Sequence, residues 1–399
     1  MPAHAERAAL VGLVTSSSRG DADHSLDELA GLADAAGARV VLRMLQERPK
    51  PDPATFIGAG KVTSLAAACD EASVDVVIFD NELSPAQLRQ LEERLERKVI
   101  DRTQLILDIF ARRARTREGK WQVELAQLKY LLPRLVGSSA ALSRLGGGIG
   151  TRGPGETKLE SDRRRIRVRI QAIQKEIDQV RQRRSQLRER RHKQSVPTVA
   201  LVGYTNAGKT TLFNRLTGET AVASNALFVT LDPLVRRVRL PDSRELLVSD
   251  TVGFIDRLPH ALVAAFSATL EEEVGASDVP MVAVYNKIDT ISTDVRRRLR
   301  EADPSAALIS ATMGDGAAEL MQMIASRLAL DTRRVTITFD SGKEFDRQQI
   351  GRLYRVARVI SHVATNGRVV IEADVPRRFI ERLTAVDEGS GKVEVGSGK

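Results

Sequence analysis

The sequence predicts an α/β protein built in four consecutive parts. Three observations carry this. Strand-like and helix-like runs alternate over residues 8–110; a heptad-spaced, arginine-rich stretch follows over 116–193; an apolar strand then runs into the glycine-rich loop GYTNAGKT, which opens a helix. A chain of 399 residues has room for about two to four domains. The expected boundaries are a small parallel α/β domain over 1–115, a helical hairpin over 116–195 with its tip at 137–158, a nucleotide domain over 196–330, and a small α+β domain over 331–399.

Composition narrows the setting. No apolar run is long enough to span a bilayer, so no stable membrane insertion is expected. The opening MPAHAERAALVGLV makes a poor signal peptide, because its apolar run is short and Glu6 precedes it; Ala8 to Val14 reads better as a first strand. One cysteine, Cys69, rules out an internal disulfide framework and suits a reducing, cytoplasmic setting. The net charge is +9, but residues 111–195 hold 23 Lys/Arg against 8 Asp/Glu, a net of +15 that leaves −6 for everything else. Positive charge so concentrated points to a polyanion at one place, most plausibly nucleic acid, with a solvated charged helix as the alternative. The five histidines show no ligand spacing.

In the first part ALVGLV, RVVLRML, VDVVIFD and KVID read as strands. Ser25 and Ser84 read as capping boxes, with Pro85 at a first helical position. In the second part Trp121, Leu125, Leu128, Leu132 and Leu135 are spaced four, three, four, three; Ile166, Ile170, Ile173, Ile177 and Val180 repeat the rhythm. Two such helices predict an antiparallel hairpin, each covering the other's stripe. Its tip, SRLGGGIGTRGPGETK, contains G-x-G-x-x-G, but a helix precedes it and Pro154 interrupts it, so a dinucleotide loop is not expected. Arg144, Gly147, Gly148, Arg152 and Lys158 at the tip, with Arg163, Arg164 and Arg165 on the second helix, are the candidate RNA contacts.

The third part carries the chemistry. Gly203, Tyr204, Thr205, Asn206, Ala207, Gly208, Lys209, Thr210 and Thr211 form a phosphate-binding loop in its strand–loop–helix context. Backbone N–H groups can turn onto phosphates, Lys209 adds a point charge, and the Thr210 hydroxyl can hold Mg²⁺. Asn286-Lys287-Ile288-Asp289 follows a second apolar strand. A carboxylate there accepts from guanine's ring N–H and amine, whereas adenine offers an acceptor at the ring position, so GTP is the expected nucleotide. Ser310 and Ala311 are expected to complete the base pocket through backbone donors. Asp250 in DTVG is placed for the Mg²⁺ shell, the Gly253 N–H for the γ-phosphate, and Thr230 in LFVTLDP as the switch threonine. Phe254 stands where Ras-like proteins place a water-orienting Gln, which predicts slow intrinsic hydrolysis and a partner-supplied catalytic element. Lys209, Thr230, Gly253 and Phe254 are thus the candidate catalytic group in a P-loop GTPase domain of Ras-like order.

With these residues assembled, the chain resembles the HflX family of translational GTPases. The resemblance rests on GGGIGTRGPGETKLE, FIGAGKV, VGYTNAGKTTLFNRLTG, NALFVTLDP, DTVGFIDRLP and NKID. It implies binding to the large ribosomal subunit and GTP-dependent splitting of stalled or idle ribosomes, with the helical finger reaching the ribosomal core; some members also hydrolyse ATP and remodel ribosomal RNA. A monomer is expected. A GTP-gated remodeller of other RNA and a nucleotide-binding adaptor without hydrolysis are the rival readings. One departure stands out. From Phe254 to Pro280 there are 27 residues where helix, strand and helix are needed, and the pattern reads as one helix running on to the next strand. An apolar strand and its following helix are missing near Glu272 to Val274, through either a real deletion or an omitted segment; intact motifs on both sides favour omission. The fourth part reads as strand, helix, a hairpin turning at Asn366-Gly367, and helix.

Overall fold

A computed structural model describes residues 5–15, 22–135, 158–194, 197–219, 227–228, 230–231, 234–241, 244–255, 280–329, 332–365, 367–376, 380 and 393–395. The first sheet is built from β1 (Arg7–Val14), β2 (Arg39–Glu47), β3 (Val76–Phe79) and β4 (Lys98–Asp101), in the order β2-β1-β3-β4 and parallel throughout. Alternation decides which core each side chain joins. Ala8, Leu10, Val76, Ile78 and Ile100 face α1 (Ala22–Ala35) and α4 (Arg102–Arg113); Ala9, Val11, Val77, Phe79 and Val99 face α2 (Ala59–Glu71) and α3 (Pro85–Leu95). Both faces are covered, which is why these strands read as nearly continuous apolar runs.

Local signals set most helix starts. Ser84 forms a complete capping box with Gln87, and Pro85 opens α3. Ser25 does not act as the expected cap. α1 begins three residues earlier, at Ala22, and the buried Ser25 hydroxyl instead donates to Asp80 at 2.6 Å. Asp80 also receives Arg102 at 2.9 Å, and Arg102 bonds Glu28, so a buried ion network closes the carboxyl end of the sheet.

The heptad stretches pair as α5 (Arg117–Leu131) and α6 (Lys158–Gln194). Leu125, Ile173 and Ile177 form the seam, flanked by Trp121, Leu128 and Ile170, and Arg169 clamps Glu124 with two bonds of 2.7 and 2.8 Å. At 37 residues α6 is about 55 Å long.

The nucleotide region holds β5 (Thr198–Leu201), α7 (Lys209–Thr217), β6 (Leu234–Arg239), β7 (Glu245–Asp250), β8 (Val284–Tyr285), α8 (Thr293–Ala302), β9 (Ala307–Leu308) and α9 (Ala317–Ala329). Among the described residues its strands lie in two sheets, β5-β7-β6 and β8-β9. The last part is an antiparallel sheet of β10 (Thr332–Asp340), β11 (Arg358–Thr365), β12 (Arg368–Pro376) and β13 (Val393–Val395), with α10 (Glu344–Val356) on one face. β13 was not expected: three residues between glycines and charges give no periodicity to read. The helix expected after β12 falls, apart from Ile380, outside the described residues.

Candidate functional site: a nucleotide-binding loop facing two switch segments

β5 delivers the chain into the loop from Gly203 to Gly208, and α7 starts at Lys209 with its positive end aimed into that loop. The sequence suits the backbone. Asn206 and Gly208 have φ of 58° and 87°, and a Cβ on Gly208 would come within 2.2 Å of the Asn286 amide nitrogen. Tyr204 and Ala207 are exposed, while Thr205 and Thr211 are half-buried. The Lys209 ammonium donates to the Tyr204 carbonyl at 2.8 Å. Burial pulls its pKa down, against the opposing pull of Asp250.

Asp250 ends β7 and is fully buried. Its Oδ2 accepts from the hydroxyls of Thr210 and Thr230, each at 2.8 Å, and those hydroxyls lie 2.7 Å apart. Its Oδ1 is buried without a hydrogen-bond partner. Burial pushes the Asp250 carboxyl up, partly offset by Thr230, Thr210 and Lys209. Three hard oxygens with one carboxylate oxygen left unsatisfied match the donor set of Mg²⁺. Three positions far apart in sequence thus meet at one point.

The segment from Thr251 to Ile255 is tied to the loop. The Phe254 N–H donates to the Gly203 carbonyl at 3.0 Å, and the Thr205 N–H donates to the Phe254 carbonyl at 2.7 Å. Gly253 lies so close that a Cβ there would be 2.7 Å from the Thr205 Cα. Phe254 meets the loop through its main chain.

Asn286 acts as a staple. Its Nδ2 donates to the Ala207 carbonyl at 2.9 Å, and its Oδ1 accepts from the Ala311 N–H at 3.0 Å. Lys287 takes a left-handed φ of 64°, turning the chain into the short helix that holds the exposed Asp289. The Ser310 N–H is bonded to the Asp315 carbonyl. Both N–H groups expected to face the base are therefore engaged within the protein here, and Ala311 holds Asn286 in place.

Sequence reasoning missed what flanks the switch threonine. Phe228, Leu231, Val252 and Ile255 belong to the core that α1, α4 and α5 form on the first sheet. Phe228 meets Phe110 edge-on, with ring centroids 4.6 Å apart. The signal was the apolar pair around Thr230 in LFVTL, legible only once a partner surface is known. Of the candidate RNA contacts, Arg144, Gly147, Gly148 and Arg152 lie outside the described residues, and Lys158 opens α6. Arg163 is half-buried; Arg164 and Arg165 are exposed, and Arg165 lies 3.6 Å from Asp162. Among the described residues no helix is long and apolar enough to cross a membrane.

A loop–helix phosphate site facing two switch segments, beside an N-K-x-D turn, defines a P-loop GTPase. Three family profiles match consecutive stretches: GTP-binding GTPase N-terminal over 23–111, GTP-binding GTPase Middle Region over 113–191, and 50S ribosome-binding GTPase over 198–311. The GTPase HflX of Caldanaerobacter subterraneus is 42% identical over 408 positions, covering 95% of this chain and 93% of that one; the GTPase HflX of Escherichia coli is 45% identical, covering 78% and 81%. The chain belongs to the HflX family of GTPases. A GTP-binding protein of Sulfolobus solfataricus, solved with GDP, matches loosely at 23% identity and TM-score 0.42, covering 81% of this chain and 98% of that one. About 29 of those 408 Caldanaerobacter positions have no counterpart in this chain.

Proposed function

We propose that this GTPase binds the large ribosomal subunit in its GTP form and parts ribosomes into subunits, with hydrolysis stimulated by the ribosome and serving release. The observation that supports this best is the position of Thr230. Its hydroxyl sits with Asp250 and Thr210, while Phe228 and Leu231 on either side are built into the first domain's core, from which the basic helical pair extends. A ligand that claims the Thr230 hydroxyl therefore acts on the part of the chain that would meet RNA.

Each residue has a role in this reading. The N–H groups of 203–208 and the α7 terminus take the phosphates, and the Lys209 ammonium, whose burial is costly, finds its counter-charge in the β- and γ-phosphates. Thr210, Thr230 and Asp250 would hold Mg²⁺, which when bound neutralises charge between the phosphates. The Gly253 N–H faces the γ-phosphate once the 203–205 contact opens. Asp289 reads guanine, and Asn286 fixes the loop. Phe254 offers no polar side-chain atom to the attacking water, so the ribosome supplies or orders that element; Phe254→Gln should raise the basal rate, and an unchanged basal and stimulated rate would remove this role. Arg163, Arg164 and Arg165, with the tip residues and Lys158, take RNA phosphates.

The test is sedimentation of intact ribosomes with the protein and GTP, a non-hydrolysable analogue, or GDP. Subunits are expected with the first two and not with GDP, with the protein travelling with the large subunit. An unchanged profile with the protein left at the top would refute the reading.

A further inference from the structure

The loop that follows β9, from Ser310 to Gly314, is held from two directions. Asn286, just past β8, accepts the Ala311 N–H. The other hold comes from α7. Leu212 and Phe213 turn that helix's apolar face into the core, while Arg215 leaves its flank at the surface. The Arg215 Nε donates to the Ala311 carbonyl at 3.2 Å, and its Nη2 donates to the Thr312 carbonyl. Gly314 lies against the same guanidinium: a Cβ there would stand 3.3 Å from the guanidinium carbon. Within the loop, the Ser310 hydroxyl accepts the Met313 N–H at 3.1 Å and the Ser310 carbonyl accepts the Gly314 N–H at 2.7 Å. These bonds fix the loop's shape. The bonds from Asn286 and Arg215 fix its place.

A guanidinium suits this task. It carries several donors in a rigid plane, so one side chain can bind two neighbouring carbonyls, and bonds from a charged donor are about twice as strong as neutral ones. Its position on α7 adds the consequence. Arg215 stands about 7.5 Å along the helix axis from Thr210, at 1.5 Å per residue. The helix that offers its first turn to the phosphates therefore also carries the arm that fixes the loop beside the N-K-x-D turn. We infer that Arg215 is a positioning residue for the guanine base, acting through the carbonyls of Ala311 and Thr312 to set the 310–314 loop at a fixed distance from the phosphate loop. This rests on the reading of Asp289 as the guanine partner and is independent of the ribosome. Without Arg215 the loop must be ordered when the base binds, and that ordering is taken from affinity. GTP and GDP share the base and should suffer alike, whereas the phosphate end should not notice.

The test is competition against a fluorescent GDP analogue by GTP, GDP and inorganic tripolyphosphate, using the full chain. Tripolyphosphate can fill the phosphate loop but has no base. Arg215→Ala should weaken GTP and GDP by about ten-fold each and leave tripolyphosphate unchanged. Hydrogen exchange at the Met313 and Gly314 amides should speed up in the same variant. Arg215→Lys keeps the charge without the planar fork and should recover only part of the loss; full recovery would show that charge alone matters and would overturn the inference. Equal weakening of all three competitors would also overturn it, because Arg215→Ala would then merely loosen α7. Asp289→Asn separates the inference from the reading beneath it. If Asp289→Asn weakens GTP relative to tripolyphosphate and Arg215→Ala does not, the guanine reading stands and Arg215 has no positioning role. If neither variant changes that ratio, the guanine reading itself fails and the inference falls with it.

Discussion

Asp250→Asn should move stability and nucleotide binding in opposite directions. The carboxylate is fully buried, and one of its oxygens has no partner. Burial raises its pKa more than Thr230, Thr210 and Lys209 lower it. A carboxyl whose folded pKa lies above its unfolded value contributes stability that is fully present below the unfolded pKa and is lost as pH rises through the folded one. At neutral pH the ionised Asp250 therefore costs the ligand-free protein stability. Asparagine keeps the shape and removes the charge, and the two threonine hydroxyls can reorient to accept from its amide. Urea unfolding at neutral pH should show the ligand-free variant more stable by about 1 kcal/mol, the net worth of one such buried group. The gain should vanish at a pH low enough to protonate the wild-type carboxyl. Nucleotide binding should go the other way. With the carboxylate gone, Mg²⁺ loses the only anionic donor among the three oxygens, and Mg²⁺-dependent affinity for a fluorescent GTP analogue should fall by about 100-fold, or about 2.7 kcal/mol. Binding without Mg²⁺ should change little. A variant destabilised by more than about 1 kcal/mol, or one whose affinity keeps its full response to Mg²⁺, would refute the reasoning.

Phe228→Ala removes a buried ring from the core between α4 and the switch segment and should cost about 3–5 kcal/mol in urea unfolding. A double-mutant cycle with Phe110→Ala should return a coupling of about 0.5–1.5 kcal/mol, and zero coupling would mean the rings do not meet. Gly253→Ala sets a methyl against the Thr205 backbone, so hydrogen exchange at Thr205 and Phe254 should speed up markedly; unchanged protection would show the close approach to be absent. Replacing Arg163, Arg164 and Arg165 together by Glu should weaken binding to large-subunit RNA and flatten its logarithmic salt dependence by roughly two to three units; an unaltered slope would remove these residues from the RNA contact.

How much of this was legible beforehand depended on how local the cause was. The phosphate loop was readable because its backbone demands small or left-handed residues at fixed places, and Asn206 and Gly208 satisfy that demand within one turn of chain. The parallel sheet was readable because both its faces are buried and its strands are apolar throughout. Ser25 was misread because its neighbours spell a cap, while the reason for its hydroxyl, Asp80, lies 55 residues away. The same limit hid the role of the Ala311 N–H, which serves Asn286 across 25 residues, and the docking of Phe228 on Phe110. An apolar residue beside a polar one is common in any chain, and only the partner surface tells a core residue from an ordinary loop residue.

That docking constrains how far the segment around Thr230 can move. Thr230 is two residues from Phe228 and adjacent to Leu231, and a trans chain advances at most about 3.6 Å per residue. The Thr230 hydroxyl therefore cannot move far from Asp250 unless Phe228 and Leu231 leave their core or the backbone between them reshapes. Val252 and Ile255 bracket Gly253 and Phe254 in the same core, so that segment is held in the same way. Exposing one buried aromatic side chain costs about 1.5–3 kcal/mol. Both segments are anchored in the cluster that also holds residues of α1, α4 and α5, so displacing either one disturbs the packing of the other.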